Sequence, residues 1–218
     1  PFVIDMENEG RLSAKGRFRT NPSDLKLLVE HYLKVASDDW GCRKKGVIDV
    51  ALYAHGGLNT EEAAAAAARE WVPYLYSKQI FPIFLMWETG GFQTVFNIFE
   101  DAVRGEAEKT GGARWDRFRD KFSDWKDERM EGLARLPGGK LWKQMKQNAD
   151  ALSGARDAGV VKLFEVFDTS PVRDALPKRI RLHLIGHSAG SIVHTWIAQR
   201  AIERGFEVAS ISLMAPAV

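Results

Sequence analysis

Arg181-Leu182-His183-Leu184-Ile185-Gly186-His187-Ser188-Ala189-Gly190 is the stretch that decides the fold. Arg181 to Ile185 reads as a short buried strand, and Ser191 to Arg204 has helical periodicity that stops at Gly205. Between them Gly186 and Gly190 flank Ser188 at the spacing a sharp strand-to-helix turn needs, since bulk at either position would collide with neighbouring backbone. Such a turn lifts the serine hydroxyl to the end of a sheet. A serine is a poor nucleophile unless a base takes its proton and donors stabilise the oxyanion that follows attack. The helix start beyond Ser188 offers unpaired N–H groups and a positive dipole end, so the Ala189 N–H is the first expected oxyanion donor.

Working outward, the same rhythm of apolar runs and helical patterns recurs. Phe2 to Phe18 alternates around Asn8-Glu9-Gly10 and predicts a hairpin of two antiparallel strands. Asn21-Pro22-Ser23-Asp24 starts a helix running to about Ala36, with Asn21 as cap and Pro22 in the first turn. Val47–Ala54 is a buried strand ending at His55-Gly56-Gly57, and Asn59 with Glu62 and the alanines from Ala63 to Ala68 predict a helix that Pro73 should kink or end. Ile80–Trp87 and Val208–Met214 complete the strands. Strands alternating with helices imply parallel pairing through right-handed crossovers, hence an α/β fold with a mostly parallel sheet and helices on both faces.

Residues 90–171 break the rhythm: they are charged and helical in pattern, with Trp115, Phe118, Phe122 and Trp125 three and four apart. The expected organisation is a core over 1–89, a helical insertion or cap over 90–171, and the nucleophile-elbow part of the core over 172–218. The aromatic stripe reads first as packing surface; a lid or a membrane-facing face is the lesser reading.

With 218 residues and 45% hydrophobic content the chain can bury one sizeable core. Its 31 basic and 29 acidic residues nearly cancel, which argues against nucleic acid as a partner. Cys42 is the sole cysteine, so no internal disulfide and no zinc-type Cys/His cluster is expected, and the composition suits a reducing cytoplasm. The pairs Gly90-Gly91, Gly111-Gly112 and Gly138-Gly139 lack the lysine and strand context of a phosphate loop. Neither metal nor cofactor is expected.

Arg181 to Gly190 resembles strand five and the G-x-S-x-G nucleophile elbow of the α/β-hydrolase superfamily. His55-Gly56-Gly57-Leu58 resembles the loop that supplies that family's second oxyanion donor, and it follows the run that corresponds to strand three. The resemblance implies Ser188 as nucleophile, with Ala189 and Gly57 as oxyanion-hole donors. It further implies that His55, Gly56, Leu58, His187 and Glu88 border a pocket, His55 mainly tying its turn together. In this correspondence the insertion lies between strands four and five. The implied activity is that of a serine hydrolase, esterase-like or lipase-like, cleaving a small-molecule ester, thioester or amide through an acyl-enzyme.

In that family the acid and the histidine follow the serine. Here His194 lies six positions along the outgoing helix, ~9 Å of rise at ~1.5 Å per residue, heading away from the elbow. Glu203 and Glu207 read as solvated charges, and Met214 stands where a carboxylate would serve. His183 and His31 read as structural or surface residues. The base and acid are therefore expected beyond residue 218, from a C-terminal continuation or partner segment, with the sequence read as a fragment ending after strand six. The alternative is a non-catalytic binding or effector module on the same fold.

Overall fold

The structure, a computed structural model, describes residues 2–7, 10–56, 61–87, 146, 147, 149–151, 154 and 156–216, with the backbone alone at 61–63. Five strands form one sheet: β1 (Val3–Met6), β2 (Val47–Ala54), β3 (Ile80–Trp87), β4 (Arg179–His187) and β5 (Glu207–Met214). Their spatial order is β1-β3-β2-β4-β5, and every neighbouring pair is parallel. The α/β class expected from the sequence is found, and two strands span the residues expected of them, Val47–Ala54 and Ile80–Trp87.

The N-terminal hairpin differs from expectation. Only Val3–Met6 forms a strand, it pairs parallel with β3, and the antiparallel partner reduces to one bridge between Met6 and Leu12. The backbone beyond the turn has other partners. Gly10 accepts from the Gly159 N–H and Arg11 bridges Ala158, while the Asp5 N–H goes to the Thr20 hydroxyl rather than to a second strand.

Asn21 caps the first helix as expected. Its side chain accepts the Ser23 and Asp24 N–H groups, and the Asp24 carboxylate accepts the Asn21 N–H. From α1 (Pro22–Lys26) the chain continues through a π-helical stretch (Leu27–Leu33) into α2 (Lys34–Asp39). This buries Leu25, Leu28, Val29 and Leu33. A short α3 (Cys42–Lys45) precedes β2.

After β2 comes α4 (Glu61–Ser77), which carries Pro73 inside it instead of ending there. The proline has no N–H to give to the carbonyl of Arg69, a residue on the exposed side of the helix. Ala64, Ala68 and Leu75 form the buried face of α4, and Ala68 packs with Tyr53 and Phe84 of the sheet.

By its contacts the chain divides into one unit of Pro1–Glu88 with Asn148–Val218 and another of Thr89–Gln147. The expected insertion at 90–171 falls largely outside the described residues, aromatic stripe included. Its described end holds α5 (Gly159–Phe167) and α6 (Ser170–Ala175), which belong to the sheet unit. There α5 packs against β1 and α1. Phe164 stacks on Phe206 with ring centroids 5.0 Å apart. Last, α7 (Gly190–Glu203) links β4 to β5 and buries Val193, Ile197 and Ala201.

Chain direction places the functional edge. From β2 the chain leaves through α4 to β3 on one side; from β4 it leaves through α7 to β5 on the other. Right-handed crossovers then put α4 and α7 on opposite faces, and a crevice opens between the carboxyl ends of β2 and β4. In open parallel sheets that switch point is where ligands bind. His55-Gly56 follows β2 there, and Ser188 follows β4.

Candidate active site

Ser188 has φ +50°, in the left-handed region that side chains other than glycine rarely occupy. Holding a serine there costs about 1–3 kcal/mol, offset by the surrounding structure. Three features fix the turn. The Ser188 N–H donates to the Met214 carbonyl at 2.9 Å, tying the elbow to the end of β5. The Ser188 carbonyl accepts from the Ser191 N–H at 3.0 Å and the Ser191 hydroxyl at 2.6 Å, closing the first turn of α7.

The third feature is the pair of glycines. A Cβ at Gly186 would lie 2.9 Å from the Ser191 nitrogen and 3.0 Å from the Gly190 carbonyl. A Cβ at Gly190 would overlap the Ala54 carbonyl group and come within 2.9 Å of the His55 oxygen. Both glycines are therefore demanded by backbone proximity, and Gly190 lets α7 start directly against the end of β2.

The two motifs meet. A Cβ built on Gly56 would be 3.1 Å from the Ser188 Cβ and 3.1 Å from His187 Nδ1. Gly56, His187 and Ser188 thus share one small space at the sheet's carboxyl edge. Ala189, 2% exposed, stands just before α7, and among the described residues its N–H has no backbone acceptor. Gly57, Leu58 and Glu88 lie outside the described residues.

His55 is built into the scaffold of this edge. Its Nδ1 bonds the Gly56 carbonyl at 2.7 Å, its Nε2 accepts the Trp87 N–H at 3.3 Å, and its own carbonyl accepts the Trp87 indole N–H at 3.2 Å. That set requires the proton on Nδ1 and a neutral ring. Burial pushes its pKa below the ordinary histidine value; the bond to Gly56 opposes this, and neighbouring His187 adds to it. Both nitrogens are engaged, so His55 orients its loop and does not take a proton from Ser188. Trp87 as its partner was not anticipated from the sequence, although it closes an apolar strand at the same edge.

His194 and His183 stand elsewhere. His194 is 1% exposed, its Nε2 donates to the Ile185 carbonyl at 2.9 Å, and its Nδ1 has no partner. Burial drives its pKa down to about 4 against the smaller upward pull of that hydrogen bond. Glu203 pairs with Arg200 and Gln199, and Glu207 with Arg179, on exposed surface.

His183 belongs to a polar network toward the amino ends of the strands. Asp49 receives Arg181 Nε and Nη2 at 2.7 Å each and His183 Nε2 at 3.0 Å, while His183 Nδ1 accepts from the Ser210 hydroxyl at 2.8 Å. Burial raises the Asp49 pKa, but the bonds from Arg181 and His183 outweigh it and hold the carboxyl below its ordinary range. Asp49→Asn should cost about 1–2 kcal/mol, because the fork pairing is lost but Arg181 can turn to solvent. Urea unfolding at pH 7 measures this, and an unchanged midpoint would show the network to be stability-neutral.

Among the described residues no group of three or more His, Cys, Asp or Glu could hold a metal ion, and no helix is long and apolar enough to cross a membrane. Comparison with protein-family models, curated proteins and solved structures finds no match to this chain.

Proposed function

We propose that the chain carries the nucleophile half of a serine hydrolase of α/β-hydrolase type, acting on an ester, thioester or amide. Ser188 attacks the carbonyl carbon, the N–H groups of Ala189 and Gly57 hold the oxyanion, and the leaving group departs to give an acyl-enzyme that water cleaves. The observation that carries this reading is Ser188 itself. It is a non-glycine residue held at φ +50° between two sterically required glycines, with Gly56 against it at the switch point of a parallel sheet. Strain of this kind, over-determined by its surroundings, favours function over accident.

A specific observation favours a second reading. All five histidines of the sequence lie among the described residues, and none bonds the Ser188 hydroxyl. In the hydrolase reading the base and acid come from a continuation or partner segment. In the other reading the fold is a non-catalytic binding module. A fluorophosphonate probe applied to the longest native chain decides between them. Wild type should label and Ser188→Ala should not; equal labelling of the two, or none of either, supports the binding module.

A further inference from the structure

We propose that His187 is a positioning residue whose imidazole props the Gly56 backbone at a set distance from Ser188, fixing the gap across which the oxyanion is held. The inference rests on the serine-hydrolase reading above and adds to it the part that spaces the two loops.

Four observations converge. The site for a Gly56 Cβ is 3.1 Å from His187 Nδ1, 3.1 Å from the Ser188 Cβ and 3.4 Å from the His187 carbonyl oxygen. His187 Nδ1 and the Ser188 Cβ are therefore no farther apart than twice the first distance, and both border the side of Gly56 where a side chain would project. The His187 backbone is fixed in place, because it pairs with Met214 and the next N–H, that of Ser188, donates to the Met214 carbonyl. The Gly56 carbonyl is held by His55, itself anchored on Trp87. Finally, His55 and His183 each commit both ring nitrogens and His194 faces Ile185 under α7, whereas among the described residues the half-buried His187 ring makes no hydrogen bond.

Two imidazoles thus border Gly56, with different tasks. His55 orients the Gly56 carbonyl by a hydrogen bond, and His187 limits how far the glycine can sink toward the elbow. Spacing matters because a misplacement of about 1 Å at a reacting centre costs on the order of 100-fold in rate. The ring acts through Gly56, not on the substrate.

The test uses the labelling rate of a fluorophosphonate probe on the native chain, as a function of probe concentration. His187→Ala should lower the maximal rate roughly tenfold or more. The half-saturating concentration and the melting temperature should stay near wild type. His187→Asn, whose amide stands where Nδ1 does, should recover most of the rate. If His187→Ala does not fold, His187→Gln replaces it, since Gln fills space without an equivalent of Nδ1. The proposal is overturned if the Ala or Gln variant labels at the wild-type rate, if the loss lies in half-saturation, or if Asn gives no recovery. A wild type that never labels sinks the hydrolase reading and this inference with it. A labelling wild type, a silent Ser188→Ala and an unaffected His187→Ala sink this inference alone.

Discussion

Gly190→Ala should be the most damaging of the glycine-to-alanine changes at the turn that carries Ser188. The new Cβ would overlap the carbonyl group of Ala54 and crowd the oxygen of His55, and both obstacles are backbone. No side chain can swing aside. Relief requires α7 to lift off the end of β2 or the β2 turn to move, and either breaks the contact between the two motifs. Overpacking ordinarily costs about 1–3 kcal/mol, and a clash with fixed backbone belongs at or above the top of that range. Gly186→Ala meets the Ser191 nitrogen at 2.9 Å and should cost less; Gly56→Ala, at 3.1 Å from a histidine ring atom and a serine Cβ, less again. Denaturant unfolding of the three variants should give that order. Gly190→Ala with wild-type stability would show that the elbow does not press against β2.

The fold was legible where burial and periodicity agreed. Val47–Ala54, apart from Asp49, and Ile80–Trp87 are apolar runs because their strands lie inside the sheet, flanked by β4 and β1, so hydrophobicity marks their ends. Asn21 was legible for another reason, since a cap is a local bargain between a side chain and the next two or three N–H groups. The N-terminal hairpin failed because its outcome is not local. Alternation and a glycine turn favour it, yet Ala158 and Gly159, more than 140 positions away, take the backbone groups of Gly10 and Arg11. No short-range pattern carries that information.

The candidate site was legible as two motifs but not as one place. Gly186 and Gly190 announced a tight turn, and the structure supplies the reason in named collisions with Ala54 and Ser191. That His55-Gly56 abuts Ser188 follows from β2 and β4 being neighbours, and chain order does not state this. The Asp49–Arg181–His183–Ser210 network left a fainter trace. A carboxylate inside Val47-Ile48-Asp49-Val50 and the polar Arg181 and His183 inside β4 are out of place in buried strands, and a search for their mutual partners would have paired them. The Met214 carbonyl left none, because backbone acceptors have no sequence signature.

Acid should unfold this protein earlier than its carboxylates alone require, and His194 is the cause. Buried against β4 with Nδ1 unpartnered, it stays neutral in the fold down to about pH 4, whereas in the unfolded chain it gains a proton near 6.5. A histidine whose folded pKa is depressed leaves stability intact above the unfolded value. Below it the unfolded state binds the proton that the native state refuses, so stability falls from pH 6.5 until the folded pKa is reached. Over that window the loss is about 3 kcal/mol, and about 2 kcal/mol of it has gone by pH 5. His55, also shifted downward, adds a loss of the same sign as pH falls below the unfolded value. His194→Gln offers the Ile185 carbonyl an amide donor but cannot titrate. Urea unfolding between pH 7.5 and 4.5 should therefore show a markedly shallower slope for His194→Gln than for wild type, whatever the variant's stability at pH 7.5. Parallel slopes would mean that His194 takes up its proton in the folded protein as readily as in the unfolded chain. The buried contact with Ile185 would then have to open to water well above pH 4.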